Sequence, residues 1–277
     1  MENVTITPIV KWAGGKRQLL PIIKPMLPDG YNRYYEPFFG GGALFFDLKP
    51  KKAVINDCNP FLMNMYLQVQ NNAEDVMNNL QDMEGKYNHF TTDKEKTDYY
   101  LTMRRAFNNC IDHKEYSVYS ASLLIFLNKA GFNGLYRVNA NGQYNVPTAH
   151  RKELHLYDRN NIVGVSKVLK KAKILTGDYK IACKSAKEND FVFFDSPYYD
   201  TFDTYQAGGF TKSNHKELYC LYDELNDKGV KIMLTNNDCE FIKDLYGKYK
   251  IKSVQVKRMI NCDSKNRKGK EVIITNY

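Results

Sequence analysis

The chain has 277 residues, with 40 Lys and Arg against 31 Asp and Glu and a formal net charge of +9. Its 43% hydrophobic and 26% charged residues exclude wholesale disorder, and the length is generous for one domain but short for two independent ones, so one core domain carrying an insertion is expected. The basic balance suits either a polyanionic partner or a solvated surface, and with no run of 18 apolar residues and no basic-then-apolar leader in MENVTITPIVKW the expectation is a soluble intracellular protein.

The first distinctive stretch is Lys11-Trp12-Ala13-Gly14-Gly15-Lys16, which holds the only tryptophan. A phosphate-binding loop would need a further upstream Gly and a Ser or Thr after Lys16, where Arg17 stands, so nucleotide triphosphate binding is disfavoured. Next, YYEPFFGGGALFFDL (34 to 48) reads as a strand end, a glycine turn and a helix start, and KKAVINDCNP as a short strand ending in Asn56 and Asp57. A Gly-rich turn after a strand lets backbone approach a nucleotide-like ligand, although it can equally be a tight connection. Asp57 closes the next strand near the ~20-residue offset of a ribose-binding acid, which favours the ligand reading.

Residues 61 to about 165 have another texture: helical periodicity runs to about residue 130, followed by GLYRVNANGQYNVP. There Asn-Ala-Asn-Gly separates two alternating runs, Leu135 to Val138 and Gln143 to Val146, which predicts a β-hairpin. Four short apolar strands follow, within 170 to 179, 190 to 199, 229 to 238 and 270 to 277, and their alternation with helical segments predicts a mainly parallel, doubly wound α/β sheet. Between 248 and 270 stand nine Lys or Arg against the single acid Asp263, and CDSKNRKGK (262 to 270) has the polarity of a loop able to touch phosphates or simply to be solvated.

One of those strands, FVFFDSPYYDTF, delivers Asp195, Ser196, Pro197 and Tyr198 past its carboxyl end, where doubly wound folds bind ligands. A carboxylate there can accept from an exocyclic amine and a ring can stack on a base; equally, Asp and Pro close many buried strands. Six cysteines without a CxxC pair and five histidines without ligand spacing predict reduced thiols and no metal.

Taken in order, KWAGGK, EPFFGGG with Asp57, GFNGLYRVN, QYNVP, Gly177-Asp178-Tyr179, DSPY and LTNN (234 to 237) resemble the Dam-type, D12-class (alpha group) adenine-N6 DNA methyltransferases across nearly the whole chain. The resemblance implies a Rossmann-like methyltransferase sheet, with residues 1–60 plus 166–277 as the catalytic domain binding S-adenosylmethionine and 61–165 as a mostly helical target-recognition insertion. It assigns Trp12, Ala13, Gly14, Gly15, Lys16, Glu36, Pro37, Phe38, Gly40, Gly42, Asp57, Asp178, Tyr179 and Asp195 to the cofactor. It assigns methyl transfer to Asp195, Ser196, Pro197 and Tyr198.

Duplex DNA is the implied partner, with Lys11, Asn133, Leu135, Arg137, Asn139 and Pro147 as contacts, GATC as the target, a flipped adenine, and functional pairing with a restriction endonuclease. Two departures stand out. Ser196 occupies a position where a second proline is expected, and Thr148-Ala149-His150-Arg151 replaces the Gly-Arg-Tyr-like run that follows Pro147 in many relatives, which leaves flanking contacts open. A non-catalytic DNA-binding accessory subunit, or an enzyme acting on cytosine N4 or an RNA amine, stays open from the sequence.

Overall fold

A computed structural model describes residues 6–199, 209–257 and 268–277. In chain order the helices are α1 (Leu20–Ile23), α2 (Ala43–Leu48), α3 (Pro60–Asn71), α4 (Ala73–His89), α5 (Asp93–Asp112), α6 (Val118–Ala130), α7 (Arg159–Leu169), α8 (Tyr179–Cys183), α9 (Lys212–Asp227) and α10 (Glu240–Leu245). The strands are β1 (Tyr34–Glu36), β2 (Ala53–Asp57), β3 (Ala172–Thr176), β4 (Phe191–Phe194), β5 (Lys231–Asn237), β6 (Lys250–Lys257) and β7 (Lys268–Thr275). They form a seven-stranded mixed sheet in the order β3-β2-β1-β4-β5-β7-β6. No helix among the described residues is long and apolar enough to cross a membrane.

Packing divides the chain into two compact units, 1–15 with 40–49 and 57–177, and 16–39 with 50–56 and 178–277. In the second unit β1 runs parallel to β4 and β4 to β5, with Phe194 level with Leu234. All four residues of β4 are buried, the burial expected of a central parallel strand covered on both faces.

The sheet departs from the sequence expectation at its end, where β7 is antiparallel to both β5 and β6. β6 was not foreseen, because its apolar residues Ile251, Val254 and Val256 do not share one face and lysines interrupt them. On an edge strand lysines are well placed, since they oppose pairing with another chain. Residues 262–267 of CDSKNRKGK, read as a loop able to touch phosphates or simply to be solvated, lie outside the described residues, as does the end of FVFFDSPYYDTF from residue 200.

The first unit is mostly helical. α5 and α6 each begin with a capping box, Thr92 with Glu95 and Ser117 with Ser120, which satisfies amides that helix starts leave orphaned. Ten of the 13 residues of α6 are buried, which makes it the helix around which α3, α4 and α5 pack. The predicted hairpin is a narrow loop rather than a pair of laddered strands, held by isolated bridges Val138 with Tyr144 and Gly131 with Thr148.

The cause is competition from side chains. Asn108 of α5 accepts from Tyr144 N–H (2.8 Å) and donates to its carbonyl (3.2 Å), while Tyr100 donates to the Val146 carbonyl (2.9 Å). The second arm is thereby pinned to α5 as well as to the first arm, to which it is joined only by scattered bonds such as Asn139 N–H to the Gln143 carbonyl (2.8 Å) and Asn145 N–H to the Arg137 carbonyl (3.1 Å).

Candidate active site and recognition loop

Asp195 leaves β4 beside β5, whose Thr235 hydroxyl donates to Asp195 Oδ1 at 2.8 Å. Lys16 Nζ lies 2.5 Å from the same oxygen, with side-chain exposures of 5% for Lys16 and 17% for Asp195. Burial pushes the Asp195 carboxyl above the ordinary aspartate range, and Lys16 and Thr235 pull it back. Among the described residues nothing donates to Asp195 Oδ2 or to the Ser196 carbonyl. Two consecutive residues therefore offer acceptors at a strand end.

The exit from β4 is fixed by β5 and β7. Asn236 donates to Ser196 Oγ (3.3 Å) and the Pro197 carbonyl (3.5 Å) and accepts from Tyr199 N–H (3.0 Å). The Tyr198 hydroxyl donates to Glu271 Oε2 at 2.6 Å, and Lys16 Nζ stands 4.8 Å from the Tyr198 ring centroid. Lys16, expected at the cofactor, thus pairs with Asp195 and lies over the Tyr198 ring.

In the same unit Phe38 and Tyr179 stack at 5.0 Å between centroids, with Phe194 and Phe210 presenting edges to Phe38. Asp178 caps α8 by accepting from Lys180 N–H (2.8 Å) and is otherwise exposed. Glu36 is buried and accepts from the Tyr34 hydroxyl (2.7 Å), and the Pro37 carbonyl accepts from Asn56 (3.0 Å). Tyr179 Oη is buried with no hydrogen-bond partner among the described residues, and burial pushes its pKa up.

The glycine turn belongs to the other unit. Gly40 donates its N–H to Asp57 Oδ2 (2.9 Å), its carbonyl accepts from the buried Tyr66 hydroxyl (3.0 Å), and its φ is +48°. A Cβ there would stand 3.0 Å from Trp12 Cδ1, so both backbone and space demand glycine. Asp57 Oδ1 accepts from Asn59 N–H (3.0 Å), and burial raises the Asp57 pKa against these amides. Gly42 is buried in the left-handed region at the start of α2, whereas Ala13, Gly14 and Gly15 are exposed beside Trp12.

In that unit too, Arg137 Nε donates to Asn145 Oδ1 (2.7 Å) and Nη2 to the Asn145 carbonyl (3.2 Å). This holds one edge of the guanidinium and leaves its Nη1 end facing away from those contacts. Asn139 spends its Oδ1 inside the turn on the N–H groups of Asn141 and Gln143, and the Leu135 carbonyl accepts from the Tyr144 hydroxyl. Asn133 is exposed at φ +54°, Pro147 is exposed, and Phe132 is 51% exposed. The Phe132 N–H donates to the Pro147 carbonyl at 2.9 Å.

Sequence reasoning missed the supporting residues Thr235, Asn236, Glu271, Asn145, Tyr66 and Phe132. Thr235 and Asn236 carried a signal in LTNN, a polar ending on an apolar strand, but Glu271 and Tyr66 carry none without the pairing that brings them to Tyr198 and Gly40.

A family model for D12 class N6 adenine-specific DNA methyltransferases matches residues 12–260. The chain is 37% identical to the type II methyltransferase M1.LlaDCHI of Lactococcus lactis subsp. cremoris, over all of this chain (100%) and 97% of the relative. It is 37% identical to the type II methyltransferase M.MjaIII of Methanocaldococcus jannaschii, over 98% and 99% of the two chains. A DNA adenine methylase of Haemophilus influenzae is 29% identical over 96% of this chain and 92% of its own. With a family match across most of its length and relatives covered nearly end to end, the chain belongs to the D12 class of N6 adenine-specific DNA methyltransferases.

Proposed function

We propose that the protein transfers a methyl group from S-adenosylmethionine to N6 of an adenine flipped out of duplex DNA, in the sequence GATC. The observation that carries the catalytic reading is the pair of acceptors, Asp195 Oδ2 and the Ser196 carbonyl, that receive no donor among the described residues, at a strand end. Adenine N6 is a poor nucleophile because its lone pair is delocalised into the ring. Two acceptors holding its two protons draw that pair toward the methyl carbon, and preorganised acceptors act without reorganisation during the reaction. Asp195 Oδ2 also stands ready to hold the proton that N6 sheds once it is methylated.

The residues present fit the cofactor. In one unit a buried Tyr179 hydroxyl with no partner among the described residues and the aromatic face of Phe38, and in the other a glycine turn bonded to Asp57, are each groups an adenosine can use. S-adenosylmethionine supplies an electrophilic methyl group on a sulfonium. Asp57 is assigned to its ribose hydroxyls and Asp178 to its adenine amine, with Trp12, Phe38 and Tyr179 as apolar walls. The sheet is read as Rossmann-like, with 1–60 plus 166–277 catalytic and 61–165 reading the target.

Taking the adenine out of the stack costs a few kcal/mol, least at weakened pairs. Tyr198 is assigned as its stacking platform. On the duplex, Arg137 presents an end-on fork suited to guanine O6 and N7, and Leu135 and Pro147 suit a thymine methyl. Exposed Phe132 and Asn133 are placed to wedge into the opened stack, as apolar side chains do in kinked duplexes. The type II names of two relatives support pairing with a restriction endonuclease.

The test is incubation with labelled S-adenosylmethionine and duplexes carrying GATC or a scrambled site, followed by digestion to nucleosides. N6-methyladenine confined to the GATC duplex is expected. Label in cytosine, or equal label in both duplexes, overturns the substrate or the sequence assignment respectively.

A further inference from the structure

The geometry points to Asn128 and Gly134 as specificity-determining positioning residues that make Lys11 part of the recognition loop. This rests on the proposed function and on Lys11 as one of the implied DNA contacts, taken to read a base pair.

Asn128 lies near the end of α6 and is 3% exposed. Its Oδ1 accepts from the Lys11 N–H at 2.9 Å, and its Nδ2 donates to the Lys11 carbonyl at 2.9 Å and to the Gly134 carbonyl at 2.7 Å. One amide thus satisfies both backbone groups of Lys11 and ties them to the turn between Asn133 and Leu135. No other side-chain type of that size offers an acceptor and two donors in this arrangement.

Gly134 supplies an independent observation. Its φ is +66°, and a Cβ there would stand 2.9 Å from Lys11 Cδ and 3.1 Å from Lys11 Cβ. The aliphatic stem of Lys11 therefore runs directly across the glycine, with its exposed ammonium carried beyond the turn. Lys11 is distant in sequence from the loop, yet its backbone is tied through Asn128 to the turn at Gly134. Within this compact unit, backbone clamp and glycine cradle fix where the Lys11 head points relative to Asn133 and Leu135.

A clamp of this kind sets which bases are compared, so its loss should alter discrimination rather than turnover alone. Asn128→Asp keeps the shape and the acceptor for the Lys11 N–H but sets a carboxylate oxygen against two carbonyls. Gly134→Ala pushes directly on the Lys11 stem while keeping the Asn128 side chain, although its Cβ also stands 3.2 Å from the Asn128 carbonyl at a φ that strains alanine.

The experiment measures kcat/KM for the parent and for Lys11→Ala, Asn128→Asp, Gly134→Ala and the Lys11→Ala/Gly134→Ala double variant. Substrates are the preferred duplex and a set with every single base-pair change in and beside the target, and melting temperature monitors folding. Lys11→Ala is expected to lose about tenfold discrimination at one base pair, Asn128→Asp and Gly134→Ala to lose discrimination at that same pair, and the double variant to lose no more than Lys11→Ala.

If Gly134→Ala is folded and keeps the parent profile, or slows all duplexes equally, the inference is overturned. Additive losses in the double variant, or an unchanged profile for Lys11→Ala, overturn it as well. A parent protein that methylates no duplex overturns the underlying reading, and this inference with it.

Discussion

Lys16 Nζ and Asp195 Oδ1 stand 2.5 Å apart in a buried setting, and Thr235 donates to the same oxygen. The pair opposes the upward push that burial gives the Asp195 pKa, and in the proposed mechanism it leaves Oδ2 for the acceptor amine. In the proposed mechanism the ionised carboxylate is the stronger acceptor for N6, so the single-turnover rate should rise with pH through the folded-state pKa of Asp195. Lys16→Met removes the group that lowers this pKa and should move the acid limb of the pH profile upward. Breaking a buried pair on one side also costs about 3 kcal/mol, visible as a lower melting temperature. An acid limb that stays in place in a folded Lys16→Met variant would detach Lys16 from Asp195 function.

Ser196 raises a narrower question, since a proline is the residue expected there from the resemblance. Its hydroxyl is buried and accepts from Asn236, so it has a structural use that proline cannot serve. The carbonyl survives Ser196→Pro and with it the proposed N6 acceptor. The variant should therefore give the same product, with a stability loss of about 1 kcal/mol for the vanished hydrogen bond. Denaturant titration and a product digest check both halves, and a switch from an inactive parent to an active variant would contradict the role given to the serine.

The elements that the sequence revealed are those whose chemistry is local. β4 is a continuous apolar run, the Gly40 turn needs a left-handed glycine, and Asp57 follows at a telling distance, so each is visible in a single window. β6 was hidden because lysines interrupt its apolar residues, which do not share one face. The hairpin was half legible: its turn chemistry at Asn139 to Gly142 is present, but Asn108 and Tyr100, far upstream, take the second arm's backbone groups. Residues such as Glu271 at Tyr198 become functional candidates only through strand pairing, which no local pattern encodes.

Arg137 tests whether the loop reads bases. Its Nε and Nη2 are spent on Asn145, so the orientation of the fork depends on a neighbour in the other arm. Arg137→Ala should relax discrimination at one base pair by about 1–3 kcal/mol, measured as kcat/KM on singly substituted duplexes. Asn145→Ala should reproduce part of that loss at the same pair because the guanidinium is freed rather than removed. A uniform loss on all duplexes, with a shallower salt dependence of binding, would identify Arg137 as a phosphate contact instead.

His215 bears on stability rather than recognition. It is buried in α9 among Tyr199, Phe210 and Phe241, its Nε2 has no partner among the described residues, and burial lowers its pKa from 6.5 to about 4. The folded state keeps the ring neutral while the unfolded chain takes up a proton as pH falls below 6.5. Stability contributed by the neutral ring is therefore present above the unfolded pKa, and it is lost as pH falls from 6.5 toward about 4. Between pH 7 and pH 5 the loss from this residue alone amounts to about 2 kcal/mol. His215→Phe keeps an aromatic ring in an aromatic surround and removes the proton site, so its unfolding free energy should fall less over the same interval. Denaturant titrations of parent and variant at pH 7 and pH 5 give the difference directly, and parallel pH dependences would show that the acid sensitivity arises elsewhere.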